Sequence, residues 1–449
     1  MRRIRVNPVG TLALALLPTV ILLVALELGL RAYDVLTGRI LSEDLVTAWY
    51  ASSTEGHPFL EYTSRRNFHG TLAFHEPGRV FEVRTNSHGF RTREFYPKLP
   101  GGFRVVVMGD SWISGYNANQ QETVAAVLER LLRERVREEI EVFSLSGPSY
   151  STVRYAVLAR LYLDVLQPDL VIVAPDQSDF EEDVAYIRHY VTDESGAPLV
   201  LKRARELAEH VRSQRRVLID ETGQLRVEER PSWLLRLRMG SSLFNDAFEL
   251  AGRLGGWVER ARAPRGGPVR PEEIRRPELP GEDVQALVRT LPRRLLHDLI
   301  PYSLTVARER YQPTFRALRY VKRECDRRGI ALSLSSYPYP WMVSVGEAVA
   351  FQRAQFGAIY DLRQHRVHPQ LMAEFARALG VPHLDAYPVF EREGDGKYGS
   401  HDSHFNAAGH ARYARFLFES LEPDVRRLAC RQAGCKPAAG AGAPRPRAG

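Results

Sequence analysis

Residues suited to nucleophilic catalysis lie in two segments that are far apart in the chain. Ser111 follows a Val-rich apolar run within residues 103–115, FRVVVMGDSWISG, and a helical pattern resumes at about Gln121. This pattern predicts a strand, a turn and a helix, which lifts the serine to the carboxyl end of a strand, where open α/β sheets bind ligands. Asp402 and His404 precede the last predicted helix. A serine nucleophile needs a base within hydrogen-bond distance and an acid that fixes the tautomer of that base, and these two residues supply both.

Each half of this set also has an ordinary structural explanation. Gly-Asp-Ser is a common turn composition, and a single histidine often has a surface or capping role. Two other histidines, His401 and His410, lie close to His404. The set therefore depends on a fold that brings Ser111 and His404 together.

The apolar pattern predicts the elements that position these residues. Short apolar runs predict strands at 103–108, 140–145, 170–174, 331–336 and 383–385, and helical patterns lie at 122–137, 153–165, 314–328, 369–379 and 407–421. Buried strands separated by helices predict an α/β fold of three layers, with a mostly parallel sheet covered on both faces.

This α/β domain is interrupted once, by a segment rich in Arg, Pro and Gly. Helical pieces at 233–254 and 283–299 and a turn at 221–223 lie within it. We therefore predict six segments: a signal anchor at 1–35, a linker with a short β segment at 36–100, the α/β domain at 101–187 and 313–425, a largely helical insertion at 188–312, and a disordered tail at 426–449.

The amino-terminal segment has the composition of a membrane span. Residues 9–26 carry no charge, and Arg2, Arg3 and Arg5 precede them. Such a run is just long enough to cross a bilayer, and the positive-inside rule then places everything after the span outside the cytoplasm. We predict a single-pass protein of the cytoplasmic membrane, held through residues 9–30, with its folded part on the periplasmic side. The alternative is a cleaved signal peptide, which is less favoured because no small-x-small site follows the run.

The overall composition does not favour a metal or a nucleic acid as partner. The net charge of +8 arises from arginines spread among acidic residues, which is typical of a solvated surface. Of the three cysteines, only Cys430 and Cys435 are close in sequence, and no paired histidine accompanies them. We expect no metal at these cysteines and no nucleic-acid partner, and the oligomeric state stays open.

Several segments together resemble the SGNH or GDSL hydrolases, in particular the bacterial branch with an amino-terminal membrane anchor. They are TNSHGFR before the sheet, RVVVMGDSWISG, the loops SLSGPSYST and PDQSDF after the second and third strands, and DSHFNAAGH. The resemblance implies a five-stranded parallel sheet between helices, as in flavodoxin-like folds. It also implies that Ser111 is the nucleophile, His404 the base and Asp402 the orienting acid, without a metal or organic cofactor.

The chain departs from the family at the groups that stabilise the oxyanion. In the family a glycine N–H and an asparagine side chain serve this purpose. Here the glycine position falls on Ser149, with Gly147 two residues earlier, and the asparagine position falls on Ser178, beside Gln177. Loss of one oxyanion donor typically costs about 3 to 4 kcal/mol. A slow enzyme is therefore as consistent with the sequence as a fast one.

The resemblance and the predicted location lead to one expected function and two alternatives. We expect a serine esterase acting on O-acetyl or other O-acyl groups of an envelope polysaccharide or lipid. The first alternative is an O-acyltransferase that uses the same triad on a cell-envelope glycan. The second is a catalytically weak or inactive envelope scaffold or binding module.

Overall fold

The computed structural model describes residues 18–19, 22–29, 54–57, 59–72, 76, 79–201, 216–219, 225–228, 268–279 and 291–432. The chain divides into two compact units, Met1–Ser52 with Glu228–Arg265, and Ser53–Val227 with Gly266–Gly449. In the first unit, residues 22–29 are helical. The second unit contains the sheet and all of the candidate site residues.

Five parallel strands form the centre of the second unit. They are β1 (Phe103–Gly109), β2 (Ile140–Ser146), β3 (Leu170–Val173), β4 (Ala331–Ser336) and β5 (His383–Asp385). Their order is β5-β4-β3-β1-β2, and each neighbouring pair is parallel. The predicted five-stranded parallel sheet is thus confirmed.

Helices cover both faces of the sheet. The main ones are α1 (Ser111–Ser114), α2 (Val124–Arg135), α3 (Thr152–Leu166), α4 (Ser178–Tyr186), α5 (Gln312–Arg327), α6 (Val367–Leu379) and α7 (Ala407–Gln432). Along β1, Val105 and Val107 pack in one apolar cluster with residues of α2 and α7. Val106 and Met108 pack in a second cluster with residues of α3, α5 and α6. Because successive side chains of a strand point to opposite faces, the two clusters are the two sides of a three-layer α/β/α fold.

Shorter elements surround this core. Antiparallel pairs join Thr54–His57 to Glu61–Ser64, and His69–Leu72 to Phe81–Arg84. Further short helices are Leu304–Arg310, Val349–Phe356 and Tyr387–Glu393, and single 3₁₀ turns lie at Gln120–Glu122, Ile187–His189, Pro271–Glu273 and Pro340–Met342. The antiparallel pairs lie in the region for which the sequence predicted a short β segment.

The described part of the 188–312 segment contains strands that the sequence pattern did not predict. Tyr190–Thr192 pairs with Pro198–Leu201, Arg216–Ile219 forms a two-stranded sheet with Leu225–Glu228, and Ile274–Arg275 pairs with Ile359–Tyr360. Helix Arg293–His297 falls within the helical pattern at 283–299. The helix predicted at 233–254 lies outside the described residues.

The two ends of the chain are described only in part. Of the predicted span at 9–26, the structure describes residues 18–19 and 22–26, and no helix in the described ranges combines the length and apolarity needed to cross a bilayer. At the other end, α7 continues past residue 425 to Gln432, because Val425 and Ala429 lie on one face and are buried in the same cluster as Val105. The rest of the predicted tail, from 433 on, lies outside the described residues.

Candidate active site

The end of β1 places Ser111 at the carboxyl edge of the sheet. Gly109, the last residue of β1, allows close packing at this turn, since a Cβ there would lie 2.2 Å from Cγ1 of Ile113. Asp110 then caps α1, because its Oδ1 accepts the N–H of Trp112 at 3.0 Å. Ser111 is the first residue of this short helix. The turn therefore presents the serine hydroxyl at the edge where strands β1, β2 and β3 end.

Ser111, His404 and Asp402 meet at this edge although 293 residues separate the first two. The Oγ atom of Ser111 lies 2.8 Å from Nε2 of His404. The Nδ1 atom of His404 lies 2.9 Å and 3.0 Å from the two carboxylate oxygens of Asp402. An ionised carboxylate only accepts hydrogen bonds, so Nδ1 carries the ring proton and Nε2 accepts from the serine. The predicted trio thus has the connectivity of a nucleophile, a base and an orienting acid.

The two neighbouring histidines have other contacts. His410 is buried, and its Nε2–H donates to the carbonyl of Tyr116 at 2.9 Å. The Nδ1 atom of His401 lies 2.7 Å from the hydroxyl of Ser400. Of the three histidines in this segment, His404 is the one that contacts Ser111.

Two aromatic rings confine the imidazole of His404. Trp112 and Tyr116 each place a ring centroid 5.0 Å from that of His404, tilted by 40° and 37°. The side chain of His404 keeps 13% of its surface exposed, and Ser111 keeps 7%. The base is therefore held in one orientation, in a site that is mostly shielded from water.

Carboxylates near His404 favour its protonated form. Burial by itself lowers the pKa of His404, but the charge and the hydrogen bond of Asp402 act in the opposite direction, and they are the largest of the contributions that raise the pKa above its ordinary value of 6.5. An imidazolium formed next to Ser111 is thus stabilised, which is the charge that general-base catalysis produces.

Asn117 supports Asp402 and was not predicted from the sequence. Its Nδ2 donates to Oδ2 of Asp402 at 2.9 Å, and both side chains are buried. Asn117 has a φ of +56°, a conformation that asparagine tolerates better than most residues. The only sequence signal was a polar residue shortly after Ser111, which is too common to single out.

A buried arginine fixes the loop that carries Asn117. Arg91, the last residue of the TNSHGFR segment, donates through its guanidinium to the carbonyls of Gly115, Ala118 and Glu82. Gly115 ends α1 with a φ of +94°, which a side chain would not tolerate, since a Cβ there would lie 2.4 Å from Thr123. The segment before the sheet therefore shapes the site.

The loop before His404 is held by another buried carboxylate, that of Glu76. Its Oε1 accepts the N–H of His401 at 2.8 Å, and its Oε2 accepts the hydroxyl of Ser400 at 2.9 Å. This contact anchors the turn that leads into Asp402.

The loop after β2, with Gly147 and Ser149, lies beside the nucleophile turn because Gly109 and Ser146 are paired in the sheet. Gly147 admits the ring of Tyr150, which a Cβ would approach to 2.7 Å. The carbonyl of Ser149, at a φ of +48°, accepts from Nη1 of Arg154 at 2.7 Å. The loop that was predicted to supply a backbone oxyanion donor is thus tightly fixed.

Ser178 and Gln177, the two residues after β3 whose side chains were candidates for stabilising the oxyanion, make other contacts. The hydroxyl of Ser178 donates to Oδ1 of Asp176 at 2.8 Å. The amide of Gln177 is buried, and its Nε2 lies 2.8 Å from Sδ of Met342 and 3.2 Å from the hydroxyl of Tyr387. These contacts leave backbone N–H groups as the better candidates for oxyanion stabilisation.

Three buried carboxylates, Asp110, Asp176 and Asp179, lie behind Ser111. Their oxygens are within 4.8 Å of one another, a spacing at which three carboxylates could bind a cation. Hydroxyl groups face them instead, with Tyr339 donating to Asp176 at 2.7 Å and Tyr155 to Asp179 at 2.8 Å. Burial, together with the charge of Asp176, raises the pKa of Asp110 and of Asp179 well above the usual range. This donor set fits carboxylates that share protons, and we assign no metal to it.

Among known proteins, distant similarity is found to solved structures. No protein-family model and no curated protein matches the chain. Similar solved structures include a lipase/acylhydrolase from Enterococcus faecalis, with 11% identity and a TM-score of 0.35 over 72% of this chain and 96% of that one. A GDSL-like lipase from Bacteroides thetaiotaomicron has 10% identity and a TM-score of 0.32 over 73% and 92%, and a catalytic mutant of an acetylxylan esterase from Geobacillus stearothermophilus has 10% and 0.33 over 72% and 95%. The fold and the site described above rest on the strand pairing and side-chain distances of this chain.

Proposed function

We propose that this protein is a serine hydrolase that cleaves esters, as its resemblance to the SGNH hydrolases implies. The observation that carries the proposal is the chain of contacts from Ser111 Oγ through His404 to Asp402. Each group is in the order that nucleophilic catalysis by serine requires.

The reaction follows from these contacts. Ser111 Oγ attacks the ester carbonyl while Nε2 of His404 takes the serine proton. The tetrahedral intermediate then collapses, and His404 returns the proton to the departing alcohol. A water molecule or an acceptor hydroxyl, deprotonated by the same imidazole, attacks the acyl-enzyme and regenerates Ser111. Asp402 holds the ring and stabilises the imidazolium in both halves of the cycle.

We assign the oxyanion to backbone donors, the N–H of Ser111 and the loop at 147–149. The fixed conformation of that loop supports this assignment, because preorganised donors cost no reorganisation during the reaction. With no asparagine side chain in the position that the family uses, we expect a turnover lower by about a hundredfold or more than a complete set of donors would give.

We further propose that the substrate is an O-acetyl or other O-acyl group of an envelope glycan or lipid. This rests on the uncharged segment at 9–26, which in the sequence has the length and flanking arginines of a signal anchor. Anchored in the cytoplasmic membrane, the domain would meet periplasmic polymers and lipids. The shielding of Ser111 from water favours an O-acyltransferase as the second candidate, since an acceptor hydroxyl then competes better with water.

Ester turnover by the full-length protein in mild detergent tests the proposal. The wild type should hydrolyse a small activated acetyl or butyryl ester, and Ser111→Ala should not. Adding an O-acetylated polysaccharide or a free glycan acceptor separates release of acetate from transfer to the acceptor. A folded wild type no more active than Ser111→Ala would leave the scaffold interpretation.

A further inference from the structure

The hydroxyl of Ser111 has two partners but only one proton. Its Oγ lies 2.8 Å from Nε2 of His404 and 3.0 Å from Oδ2 of Asp110. In the neutral imidazole, the form that acts as the base, the single ring proton sits on Nδ1 and is donated to Asp402, so Nε2 must receive a proton from the serine. The contact between Ser111 and Asp110 is then a hydrogen bond only if Asp110 supplies the second proton.

The other contacts of Asp110 show where that proton would sit. Its Oδ1 accepts two donors, the N–H of Trp112 at 3.0 Å and the hydroxyl of Tyr337 at 3.3 Å. Its Oδ2 has Ser111 as its hydrogen-bond partner. One oxygen therefore has the surroundings of a carbonyl acceptor, and the other has those of an acid O–H.

The surroundings of Asp110 disfavour a negative charge. Asp110 keeps 3% of its surface exposed, and the charge that acts on it most strongly is that of the Asp176 carboxylate. The titratable groups that act on Asp110, or on which it acts, are Asp176, Asp179, Glu182, His404, Tyr155, Tyr337 and Tyr339. Most of them are acids or phenols, so a proton held within this group lowers the repulsion between the carboxylates.

We propose that Asp110 is a neutral carboxylic acid whose Oδ2–H donates to Oγ of Ser111, and that it is a catalytic residue of the esterase proposed above. The bond directs the serine proton toward His404. It also stabilises the negative charge that builds up on Oγ as that proton leaves. An ionised Asp110 would do the opposite, because it would accept the serine proton and turn the hydroxyl away from the base.

This proposal predicts a fall in activity at alkaline pH. A neutral Asp110 must keep its proton at the pH of activity, and burial together with the charge of Asp176 raises its pKa, which is the direction this requires. The acid form, and the activity that depends on it, is lost as the pH rises through that pKa. Tyr155 and Tyr337 have pKa values well above 10 and stay protonated over this range. The alkaline limb of the profile would then report Asp110.

Two variants at one position test the role of the acid. Asp110→Asn keeps the shape, an acceptor for Trp112 and Tyr337, and an N–H donor for Ser111. Because an amide N–H is a weaker donor than an acid O–H, we expect Asp110→Asn to be slower than the wild type, but clearly faster than Asp110→Ala, and to lose the alkaline fall; Asp110→Ala should lose about tenfold or more. An Asp110→Asn variant that is as slow as Asp110→Ala, or that keeps the alkaline fall, overturns the proposal.

Infrared difference spectroscopy provides a readout that does not need turnover. Near neutral pH, the spectrum of wild type minus Asp110→Asn should contain the C=O stretch of a protonated carboxylic acid, shifted in heavy water. Only carboxylate bands in that difference would contradict a neutral Asp110. If the wild type cleaves no ester, the proposed function fails, and with it any catalytic role, but the infrared band still decides the protonation of Asp110.

Discussion

At the scale of single residues, the site depends on where a few protons are held. His404 lies between Trp112 and Tyr116, with the carboxylate of Asp402 at Nδ1 and the hydroxyl of Ser111 at Nε2. The two aromatic rings fix the orientation of the imidazole, and the carboxylate of Asp402 fixes its tautomer. The state of His404 therefore decides whether Ser111 can be deprotonated.

Because the pKa of His404 is raised, we expect the acid limb of the pH–rate profile to lie at a higher pH than an ordinary histidine would give. Only neutral imidazole accepts the serine proton, and a pKa above 6.5 means that the inactive, protonated form persists to higher pH. We expect kcat/KM for ester cleavage to rise with pH through an apparent pKa above 6.5. Asp402→Asn should lower kcat by roughly 10³- to 10⁴-fold and shift the limb downward, because the negative charge and the correct tautomer are both lost. A wild-type limb centred below 6.5 contradicts this electrostatic account.

Asn117 is predicted to act through Asp402. A hydrogen bond to a charged group contributes about 1.5 to 3 kcal/mol, so Asn117→Ala should lower kcat by about tenfold to a hundredfold with little change in KM. Asn117→Asp should be slower still, since it places a second carboxylate against Asp402. Steady-state kinetics over a pH series measure both. An alanine variant with wild-type kcat and an unchanged pH profile would show that Asn117 is not needed for positioning.

Residue types made Ser111, Asp402 and His404 candidates, and the resemblance of the surrounding segments to a known hydrolase family distinguished them from neighbours such as His401 and His410. Asn117 and Asp110 were missed for a physical reason. Their roles depend on a loop that Arg91 fixes through backbone carbonyls and on carboxylates that meet only in the folded sheet. Neither arrangement produces a recognisable pattern of residue types or spacings in the sequence.

At the scale of elements, α3 links the hairpin formed by Thr54–His57 and Glu61–Ser64 to the loop after β2. The guanidinium of Arg154, in α3, contacts the carboxylate of Glu61, the carbonyl of Ser149 and the ring of Tyr186, whose centroid lies 3.9 Å away. The side chain of Arg154 is fully buried, so its charge depends on these partners. The hairpin thus supports the proposed oxyanion loop although it lies outside the sheet.

Removing Glu61 should destabilise the fold. Glu61→Ala leaves a buried guanidinium without its counter-charge, a change that typically costs about 3 to 5 kcal/mol. Denaturant unfolding of the wild type and the variant measures the difference. The double variant Glu61→Ala with Arg154→Met should be more stable than Glu61→Ala alone, because no unpaired charge is then buried. It should cleave esters more slowly than the wild type, because the contact from Arg154 to the carbonyl of Ser149 is lost. A free energy of unfolding unchanged by Glu61→Ala would show that the pair is not needed.

The sequence predicted elements unevenly. All five strands of the central sheet were predicted, and β1 is the clearest case because both of its faces are buried, which leaves the continuous apolar run from Val105 to Met108. The hairpin Tyr190–Thr192 with Pro198–Leu201 was missed because strands of only three and four residues are too short to show a clear period. The end of α7 was misplaced because Pro423 and the charged residues around it hide the buried face of Val425 and Ala429.

At the scale of the whole molecule, the site unites segments from both ends of one compact unit. Ser111 lies in Ser53–Val227, and Asp402 and His404 lie in Gly266–Gly449. The contact between Ser111 and His404 therefore forms only when the sheet and α7 are in place. We expect that no short fragment containing one half of the site will cleave esters.

The predicted signal anchor has its own test. The full-length protein should remain in the bacterial membrane fraction after an alkaline carbonate wash, because about eighteen uncharged residues favour insertion. Deleting residues 1–35 should release it, and a variant of Leu14→Arg with Leu17→Arg should weaken retention in the same way. A mature protein that begins beyond residue 30 would instead establish a cleaved signal peptide.

Covalent labelling of Ser111 tests the central claim most directly. The full-length wild type, treated with a serine-directed fluorophosphonate and digested, should carry the label on the peptide that contains Ser111. His404→Ala should be labelled far more slowly, and Ser111→Ala not at all, because the imidazole 2.8 Å from Oγ is what activates the hydroxyl. A folded wild type that stays unlabelled, or that is labelled equally fast without His404, would contradict the account.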